Sequence, residues 1–261
     1  MPSVFVDLQK ISGLPLKLDK KTNRAVFGSG ARKVDAVIRT GAEMRQALAD
    51  ADSVEPAKEC YYMYRGVCME HDALEIESAG LRYDITVLPA LMLGKEFNKT
   101  FGHFHPKVPG TAMSYTEVYE VLQGKAHYIL QNPACTEFFV FEASAGEKVV
   151  IPPGYGHVTI NPSKTETLVM SDWTAAGFKS DYGVFRERHG AAQYETAKGW
   201  IKNKKYAKVP KMRMVKPREV PEFGFRKGKP MYSLVQEGKL ELLDFLKMPA
   251  DYAKVFERLL R

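Results

Sequence analysis

The stretch that decides the fold is residues 100–161, which contains three of the six histidines of the chain. It comprises Thr100-Phe-Gly-His-Phe-His105, then Glu117-Val-Tyr-Glu120, and finally Gly146-Glu-Lys-Val-Val-Ile-Pro-Pro-Gly-Tyr-Gly-His-Val-Thr-Ile-Asn161. His103 and His105 are two residues apart, so an extended strand directs both imidazoles to the same face. Together with His157 and an intervening carboxylate, they form a donor set that binds Zn²⁺, Mn²⁺, Fe²⁺ or Ni²⁺. We therefore predict a metal site in this stretch.

Composition places the chain among ordinary globular proteins. Of its 261 residues, 45% are hydrophobic and 26% are charged, which differs from the composition of disordered chains. The net charge of +7 could attract nucleic acid, a membrane surface or phosphorylated metabolites. The basic connector after Lys202 has few interleaved aromatic residues and no nucleic-acid motif, so we expect no nucleic-acid partner.

The number and spacing of the cysteines, and the lack of long apolar runs, indicate the cellular compartment of the protein. Cys60, Cys68 and Cys135 are an odd number without metal-type spacing, so we expect free thiols in a reducing environment. No charged segment followed by an apolar run opens the chain, and about twenty apolar residues never run together. We expect a cytoplasmic protein with no membrane segment.

Seven short runs rich in Tyr, Val, Ile and Thr follow one another after residue 59, separated by glycine and proline. Regular spacing without a helical pattern between the runs predicts an antiparallel sandwich or barrel. Inward-facing histidines would place a metal in the mouth of such a barrel, where a substrate can reach it. The predicted strands cover residues 60–67, 81–88, 118–122, 127–130, 138–141, 148–151 and 167–170.

The remaining chain predicts extensions of this barrel. We expect N-terminal strands and a helix over residues 1–58, the barrel with its metal site over residues 59–190, and a basic, helical extension over residues 191–261.

Helices are predicted in three places. Thr40 and Glu43 form a capping-box pattern for a helix that runs to about Ala51. A second helix is predicted over residues 191–202, and an apolar stripe over residues 252–259 predicts a third.

Several of these side chains could have a structural role instead of binding a metal. A His-x-His pair in a strand is, taken alone, more often an ordinary polar contact than a ligand pair. Glu117 and Glu120 are three residues apart and face opposite sides of a strand, so the pattern leaves open which of them is the ligand. Among the remaining candidates, we expect a structural role for His127, surface positions for His71 and His189, and a core position for Trp173.

The end of the stretch resembles the second signature motif of the cupin superfamily, which has fixed positions filled here by Gly146, Pro152, Gly154, His157 and Asn161. Glu117, followed by Gly124 after six residues, resembles the end of the first motif, and this spacing selects Glu117 over Glu120. Eleven residues separate His105 from Glu117, more than the general pattern has. We interpret residues 106–116 as a loop insertion that leaves the ligands in place.

A more specific resemblance covers Leu81 to Gly183. Eight segments in order resemble the cupin-type glucose-6-phosphate isomerases, best known from archaea. The segments are Thr86-Val-Leu, Gly94-Lys-Glu-Phe, Thr100-x-Gly-His-Phe-His, Glu117-Val-Tyr119, Gly124-Lys, Leu130-Gln131, Pro152-Pro153-x-x-x-His157 and Asp181-Tyr182-Gly183. The resemblance implies a mainly β fold, the double-stranded β-helix or jelly-roll-like barrel, and a homodimer.

The resemblance also implies roles for individual residues. Hydroxyl and backbone N–H donors suit a phosphate dianion. Two departures stand out: Ser180 occupies a position where the family often has histidine, and a catalytic-region tyrosine is missing near residues 171–174. The implied metal ligands are His103, His105, Glu117 and His157, the implied phosphate contacts are Thr86, Thr100, Gly102 and Tyr182, and the candidate catalytic residues are Glu117 and Tyr119.

The activity implied is the interconversion of glucose 6-phosphate and fructose 6-phosphate, a step of glycolysis and gluconeogenesis, with one Fe, Mn, Ni or Zn ion per subunit. Glu117 is the candidate base as well as a ligand, with Tyr119 as its hydrogen-bonding partner, and a hydride shift between C1 and C2 is the competing route. Three alternatives stay open: an isomerase or epimerase for mannose 6-phosphate, a metal-dependent sugar-phosphate-binding cupin without turnover, and an iron dioxygenase.

Overall fold

Strands provide most of the regular structure in the computed structural model, which describes residues 3–260. Each of the seven runs predicted as strands contains one, and the mainly β prediction is confirmed. The strands are β1 (Phe5–Asp7), β2 (Leu16–Asp19), β3 (Arg24–Phe27), β4 (Val37–Thr40), β5 (Glu59–Arg65), β6 (Leu81–Leu88), β7 (Met92–Leu93), β8 (Glu96–Phe97), β9 (Glu117–Gln123), β10 (Lys125–Gln131), β11 (Phe138–Ser144), β12 (Lys148–Ile151), β13 (Gly156–Ile160), β14 (Leu168–Ala175), β15 (Gln193–Thr196), β16 (Gly199–Lys202) and β17 (Met212–Val215).

Helices are short and lie outside the main sheets. The α-helices are α1 (Gln9–Ser12), α2 (Gly41–Met44), α3 (Ala73–Ser78), α4 (Gly183–Glu187), α5 (Ser233–Gln236) and α6 (Ala253–Leu259). Turns of 3₁₀ helix cover Arg45–Ala47, Glu70–Asp72, Pro221–Phe223, Leu240–Leu246 and Pro249–Tyr252. None of the helices over residues 3–260 has the length and apolar character needed to span a bilayer.

Two sheets form the sandwich that holds the site. The larger has the antiparallel order β12-β9-β14-β6-β5-β4, and the smaller has the order β13-β10-β11-β17. Their facing sides share one buried cluster, in which the Tyr119 ring of β9 lies 5.1 Å from the Tyr128 ring of β10. This is the two-sheet, jelly-roll-like cupin arrangement that the sequence predicts.

The outer side of the larger sheet is also buried, because both ends of the chain pack on it. Val118 and Leu122 of β9 belong to a second apolar cluster with Leu16 from the N-terminal strands and Phe245 from the C-terminal segment. Strand alternation thus divides β9 into an inner face and an outer face, and both are excluded from water.

One buried ion pair lies on that outer face. Glu120 Oε1 contacts Lys148 Nζ at 2.7 Å, and the backbone N–H of Met231 donates to Glu120 Oε2 at 2.8 Å. Lys148 Nζ also donates to the carbonyl oxygens of Arg226 and Lys229. The pair therefore ties the C-terminal segment to the larger sheet.

The capping box at Thr40 is present, but the predicted helix is too long. The Thr40 N–H donates to Glu43 Oε2 at 2.8 Å and the Glu43 N–H donates to Thr40 Oγ1, yet α2 ends at Met44. One 3₁₀ turn follows, and the chain then leaves the helical path because the Ala49 N–H donates to the Glu96 carboxylate at 2.7 Å. A tertiary contact overrides the helical pattern here.

The helix predicted over residues 191–202 is wrong, because this segment is the hairpin of β15 and β16. Tyr194 pairs with Ile201 and Glu195 pairs with Trp200, and such aromatic and β-branched residues favour strands. Gly199 has φ +109°, a conformation that a helix does not accept. The C-terminal helix is confirmed as α6, but the extension is only partly helical.

The basic connector that follows the hairpin also contains a strand. Residues of β17 run parallel to β11, with Arg213 opposite Phe139, and so form the edge of the smaller sheet. The guanidinium of Arg213 lies 4.5 Å from the centre of the Phe139 ring. The sequence pattern predicted no strand here.

Candidate metal centre and substrate cavity

Two of the histidines are brought together by the backbone. The His103 N–H donates to the His157 carbonyl oxygen at 3.2 Å, and the His157 N–H donates to the His103 carbonyl oxygen at 3.0 Å. Directly opposed residues of an antiparallel pair point their side chains to the same face. His105 lies two residues further on, and its Nε2 is 3.1 Å from His103 Nε2.

Glu117 opens β9 and completes the group. Its Oε2 lies 3.0 Å from His157 Nε2, 3.3 Å from His105 Nε2 and 4.0 Å from His103 Nε2. One donor atom from each of the four residues lies within 4.8 Å of the others.

The donor set fits a divalent transition metal ion. Glu117 Oε2 is buried and has no partner of hydrogen-bonding geometry among residues 3–260, although three imidazole nitrogens surround it. Three imidazoles and one carboxylate suit Fe, Mn, Ni or Zn, so the chemistry does not select among these metals.

The electrostatics keep these side chains in the protonation states that metal ligands need. Burial lowers the pKa of His103 well below its usual range, and the neighbouring imidazoles lower it further. Burial also lowers the pKa of His157. For Glu117, burial would raise the pKa, but the imidazoles of His105 and His157 more than offset it and hold the pKa well below its usual range. Neutral imidazoles and an ionised carboxylate are the forms that bind metals.

Polar groups next to the ligands contact two of the imidazoles, and one of them orients its ring. His105 Nδ1 lies 3.2 Å from the carbonyl oxygen of Tyr115, which leaves Nε2 directed at Glu117. The Tyr119 hydroxyl lies 3.1 Å from His157 Nε2 and so adjoins the same group. Burial raises the pKa of Tyr119 well above its usual range, so its hydroxyl keeps its proton.

The insertion over residues 106–116 folds into a closed loop. The Tyr115 N–H donates to the Pro106 carbonyl oxygen and the Val108 N–H donates to the Met113 carbonyl oxygen. The Tyr115 ring stacks on Phe178 with centroids 4.7 Å apart. The loop thus adds the Tyr115 carbonyl and an aromatic wall next to His105.

A cavity that is partly open to solvent extends from this group. The four residues implied as phosphate contacts all line it, together with three ligands and Tyr119. Gly102 has φ +86°, and a Cβ there would lie 2.5 Å from a Val158 methyl group, so only glycine fits. The Thr100 hydroxyl already accepts a hydrogen bond from the Thr159 N–H at 2.9 Å. The implied contacts are Thr86, Thr100, Gly102 and Tyr182.

Charged residues that the sequence reasoning missed also line the cavity. Arg65, Arg82 and Asp172 lie on its wall, on strands β5, β6 and β14. Burial raises the pKa of Asp172 well above its usual range, and the negative charge of Glu117 adds to this effect. The alternation of Arg82, Asp84 and Thr86 along β6 was the available signal, since residues two apart in a strand share a face.

Other predicted positions lie where expected, with one exception. Trp173 is fully buried, and the His127 ring lies between carboxylates, with Nδ1 2.8 Å from Glu195 Oε2. His71 is exposed, whereas His189 is half-buried and not a surface residue. Ser180 and Thr174, at the two departures from the family pattern, both line the cavity.

The solved structures that are similar to this chain have low sequence identity to it. Oxalate oxidase in complex with glycolate has a TM-score of 0.32 and 16% identity over 59% of this chain and 55% of that one. Vicilin from Corylus avellana has a TM-score of 0.37 and 13% identity over 60% of this chain and 36% of that one.

Sequence comparison is more specific. The glucose-6-phosphate isomerase of Pyrococcus abyssi is 30% identical over 177 residues, covering 67% of this chain and 86% of that one. The glucose-6-phosphate isomerase of Thermococcus kodakarensis is 30% identical over 176 residues, covering 67% and 85%. The family model described as "Glucose-6-phosphate isomerase (GPI)" matches residues 32–211, which include the four clustered donors and the four implied phosphate contacts. The chain belongs to the glucose-6-phosphate isomerase family.

Proposed function

We infer that this protein is a metal-dependent glucose-6-phosphate isomerase, which interconverts glucose 6-phosphate and fructose 6-phosphate. The observation that carries the inference is the convergence of three imidazoles and one carboxylate on the wall of a cavity, within the segment that matches the family. An aldose–ketose isomerase needs such a site, because hydrogen must move between C1 and C2 next to a polarised carbonyl.

We propose His103, His105, Glu117 and His157 as the residues that hold the metal ion. A divalent ion bound there would supply Lewis acidity to the substrate carbonyl. The three histidines present Nε2 to one oxygen of Glu117, which leaves Oε1 as the second oxygen of that carboxylate.

Glu117 Oε1 is the proposed base that moves the proton between the two carbons. Its low pKa keeps the carboxylate ionised, the form that a base needs, and also makes it a weak proton acceptor. Tyr119 keeps its own proton, and its hydroxyl lies 3.1 Å from His157 Nε2, next to the proposed base. A hydride shift between C1 and C2 is the competing route, in which Glu117 would act only as a ligand.

The phosphate would lie on the hydroxyls of Thr86, Thr100 and Tyr182 and the backbone of Gly102, which line the same cavity. We also propose a homodimer in the cytoplasm, as the family resemblance implies. Sedimentation of the purified protein measures the oligomeric state directly.

A coupled assay with fructose 6-phosphate tests the activity. The protein is stripped with EDTA and then supplied with Fe²⁺, Mn²⁺, Ni²⁺ or Zn²⁺, and we expect turnover to return with at least one ion. His157→Ala should abolish most turnover and lower the metal content, whereas His71→Ala at an exposed position should change neither. Absence of turnover with every metal would contradict the function, and full activity of His157→Ala would contradict the site.

Mannose 6-phosphate in the same assay tests whether the epimeric substrate is also used.

Solvent exchange separates the two routes. In D₂O, proton transfer through Glu117 should place deuterium from the solvent at C1 or C2 of the product. Product free of deuterium would instead favour the hydride shift.

A further inference from the structure

Two arginines on the cavity wall are held by one buried aspartate. Arg65 Nη1 donates to Asp84 Oδ2 at 2.8 Å, and Arg82 donates from Nε and Nη2 to the same carboxylate at 2.9–3.0 Å. The Gly66 N–H donates to Asp84 Oδ1 at 2.9 Å. Asp84 is only 2% exposed, whereas the side chains of Arg65 and Arg82 are 42% and 31% exposed. The aspartate is therefore satisfied, and both guanidiniums present donors to the cavity.

Strand register places Arg65 beside one of the implied phosphate contacts. In the pairing of β5 with β6, Arg65 lies opposite Asp84 and Met63 lies opposite Thr86. Arg65 Nη2 is 3.4 Å from the sulfur atom of Met63, so its guanidinium extends toward the Thr86 position. Arg82 lies one row further away, and its pairing partner Thr174 lies opposite Glu117.

The implied phosphate contacts carry no positive charge, so a cation beside them would balance the charge of a bound phosphate. The implied contacts are three hydroxyls and one glycine backbone, which are all neutral. A sugar phosphate carries a dianion at neutral pH, and an ionic group taken out of water needs opposite charge as well as hydrogen bonds. Asp84 neutralises one of the two arginines, so the cluster retains one net positive charge.

We propose that Arg65, held in place by Asp84 together with Arg82, supplies the positive charge that binds the substrate phosphate and makes the site selective for phosphorylated sugars. This inference rests on the proposed function, since it assigns a binding residue to the same cavity. Asp84 and Arg82 act as positioning residues, because their contacts limit the rotamers that Arg65 can adopt.

Arg39 is the competing cation. Its guanidinium lies 5.8 Å from the centre of the Tyr182 ring and 6.0 Å from that of Tyr61, and it pairs with Glu43 at 3.2 Å. Both tyrosines line the cavity, whereas Arg39 does not. Direct contact with a phosphate therefore favours Arg65.

Binding measurements on Arg65→Gln test the proposal. Titration calorimetry is run with fructose 6-phosphate, with fructose and with inorganic phosphate, using both metal-loaded and metal-free protein. We expect Arg65→Gln to bind fructose 6-phosphate roughly 10- to 100-fold more weakly, the size expected for a lost charge-assisted hydrogen bond. Affinity for fructose should stay the same, the KM should rise more than kcat falls, and Arg65→Lys should recover part of the affinity.

Arg24→Gln is the matched control. Like Arg65, Arg24 pairs with a carboxylate, that of Glu59, and it lies over the ring of Tyr62 on β5. Tyr62 alternates with the cavity-lining Tyr61 and Met63, so Arg24 lies on the other face of the sheet. Its replacement should leave phosphate binding unchanged.

Three results would distinguish a failure of the Arg65 proposal from a failure of the proposed isomerase function. Wild-type affinity for fructose 6-phosphate in Arg65→Gln would overturn the inference while leaving the isomerase function intact. A loss of affinity in Arg39→Gln but not in Arg65→Gln would also overturn it, in favour of Arg39 as the binding cation. If the wild-type protein with each metal neither binds nor converts fructose 6-phosphate, the proposed function itself fails.

Discussion

Strand β9 carries two glutamates three residues apart that have opposite chemistry. Glu117 faces the cavity, where neighbouring imidazoles hold its pKa well below the usual range despite burial. Glu120 faces the outer cluster, where burial raises its pKa to about 7 although Lys148 counteracts the shift. The same residue type on the same strand is thus a candidate ligand on one face and a structural anchor on the other.

The difference lies in what each carboxylate touches. Glu120 has an ammonium group at 2.7 Å and a backbone N–H at 2.8 Å, and both come from segments that it holds together. Glu117 has three ring nitrogens near one oxygen that makes no hydrogen bond among the residues described. A buried carboxylate surrounded by neutral donors is suited to a cation, whereas one with its own ammonium group needs none.

Replacement of each glutamate should give the largest difference in activity between the two faces of β9. We expect Glu117→Gln to lower kcat by about 10²- to 10⁴-fold, the usual contribution of a general base, and to lower the metal content as well. Glu120→Gln should keep its activity per folded molecule. The coupled assay and metal analysis measure both effects, and equal losses of activity in the two variants would contradict the division of β9.

Removal of the ammonium group should have the next largest effect, on stability rather than on activity. Lys148→Met leaves Glu120 buried without its counter-charge, which costs about 3–5 kcal/mol of the free energy of unfolding. The double variant Glu120→Gln with Lys148→Met should recover part of that loss. Urea unfolding measures all three proteins, and a single variant as stable as the wild type would show that the pair has no structural role.

The pH dependence of stability should also distinguish the outer face. The folded-state pKa of Glu120, about 7, lies above the usual value of 4.5 for a glutamate, so the folded state binds this proton more tightly than the unfolded state. The associated stability is complete below pH 4.5 and is lost as the pH rises through 7, with a size of about 2–3 kcal/mol. Urea unfolding at pH 5 and pH 8 should show this loss in the wild type relative to Glu120→Gln. A loss of the same size in the variant would assign it to other groups.

The smallest expected effect concerns the inner face. Tyr119→Phe removes the hydroxyl that lies 3.1 Å from His157 Nε2. This hydroxyl and a metal ion compete for the same nitrogen, so its loss should tighten metal binding about fivefold, the size of one hydrogen bond. Competition with a chromogenic chelator measures this affinity. Tyr128→Phe is the matched control, because the Tyr128 hydroxyl contacts only the sulfur of Met170 among the described residues. Identical changes in both variants would indicate a general effect on packing.

The part of the site that could be predicted lies where spacing determines geometry. Strand alternation places His103 and His105 on one face, and the motif spacing separates Glu117 from Glu120. The four donors converge because β9 and β13 occupy the two facing sheets. The loop over residues 106–116 adds the Tyr115 carbonyl that orients His105.

The part that could not be predicted depends on long-range pairing. Arg65 and Arg82 lie on strands whose charged positions are typical of a face in water, and only the pairing of β5 with β6 directs them into a cavity. The hairpin over residues 193–202 was mistaken for a helix because its strand pairing with β8 and the contact between Glu195 and His127 are distant in sequence. Local patterns carry no information about such partners.

The parallel strand β17 has a consequence for the fate of a shortened chain. Without it, β11 would become the edge of the smaller sheet and would expose a row of unpaired amide and carbonyl groups beside apolar side chains. With it, the edge is a strand of four residues that carries Arg213 and is flanked by Lys211 and Lys216, and such charges discourage strand addition by another molecule. The basic connector thus protects the protein against aggregation, and a chain that stops before residue 212 would retain every proposed ligand and phosphate contact but tend to self-associate.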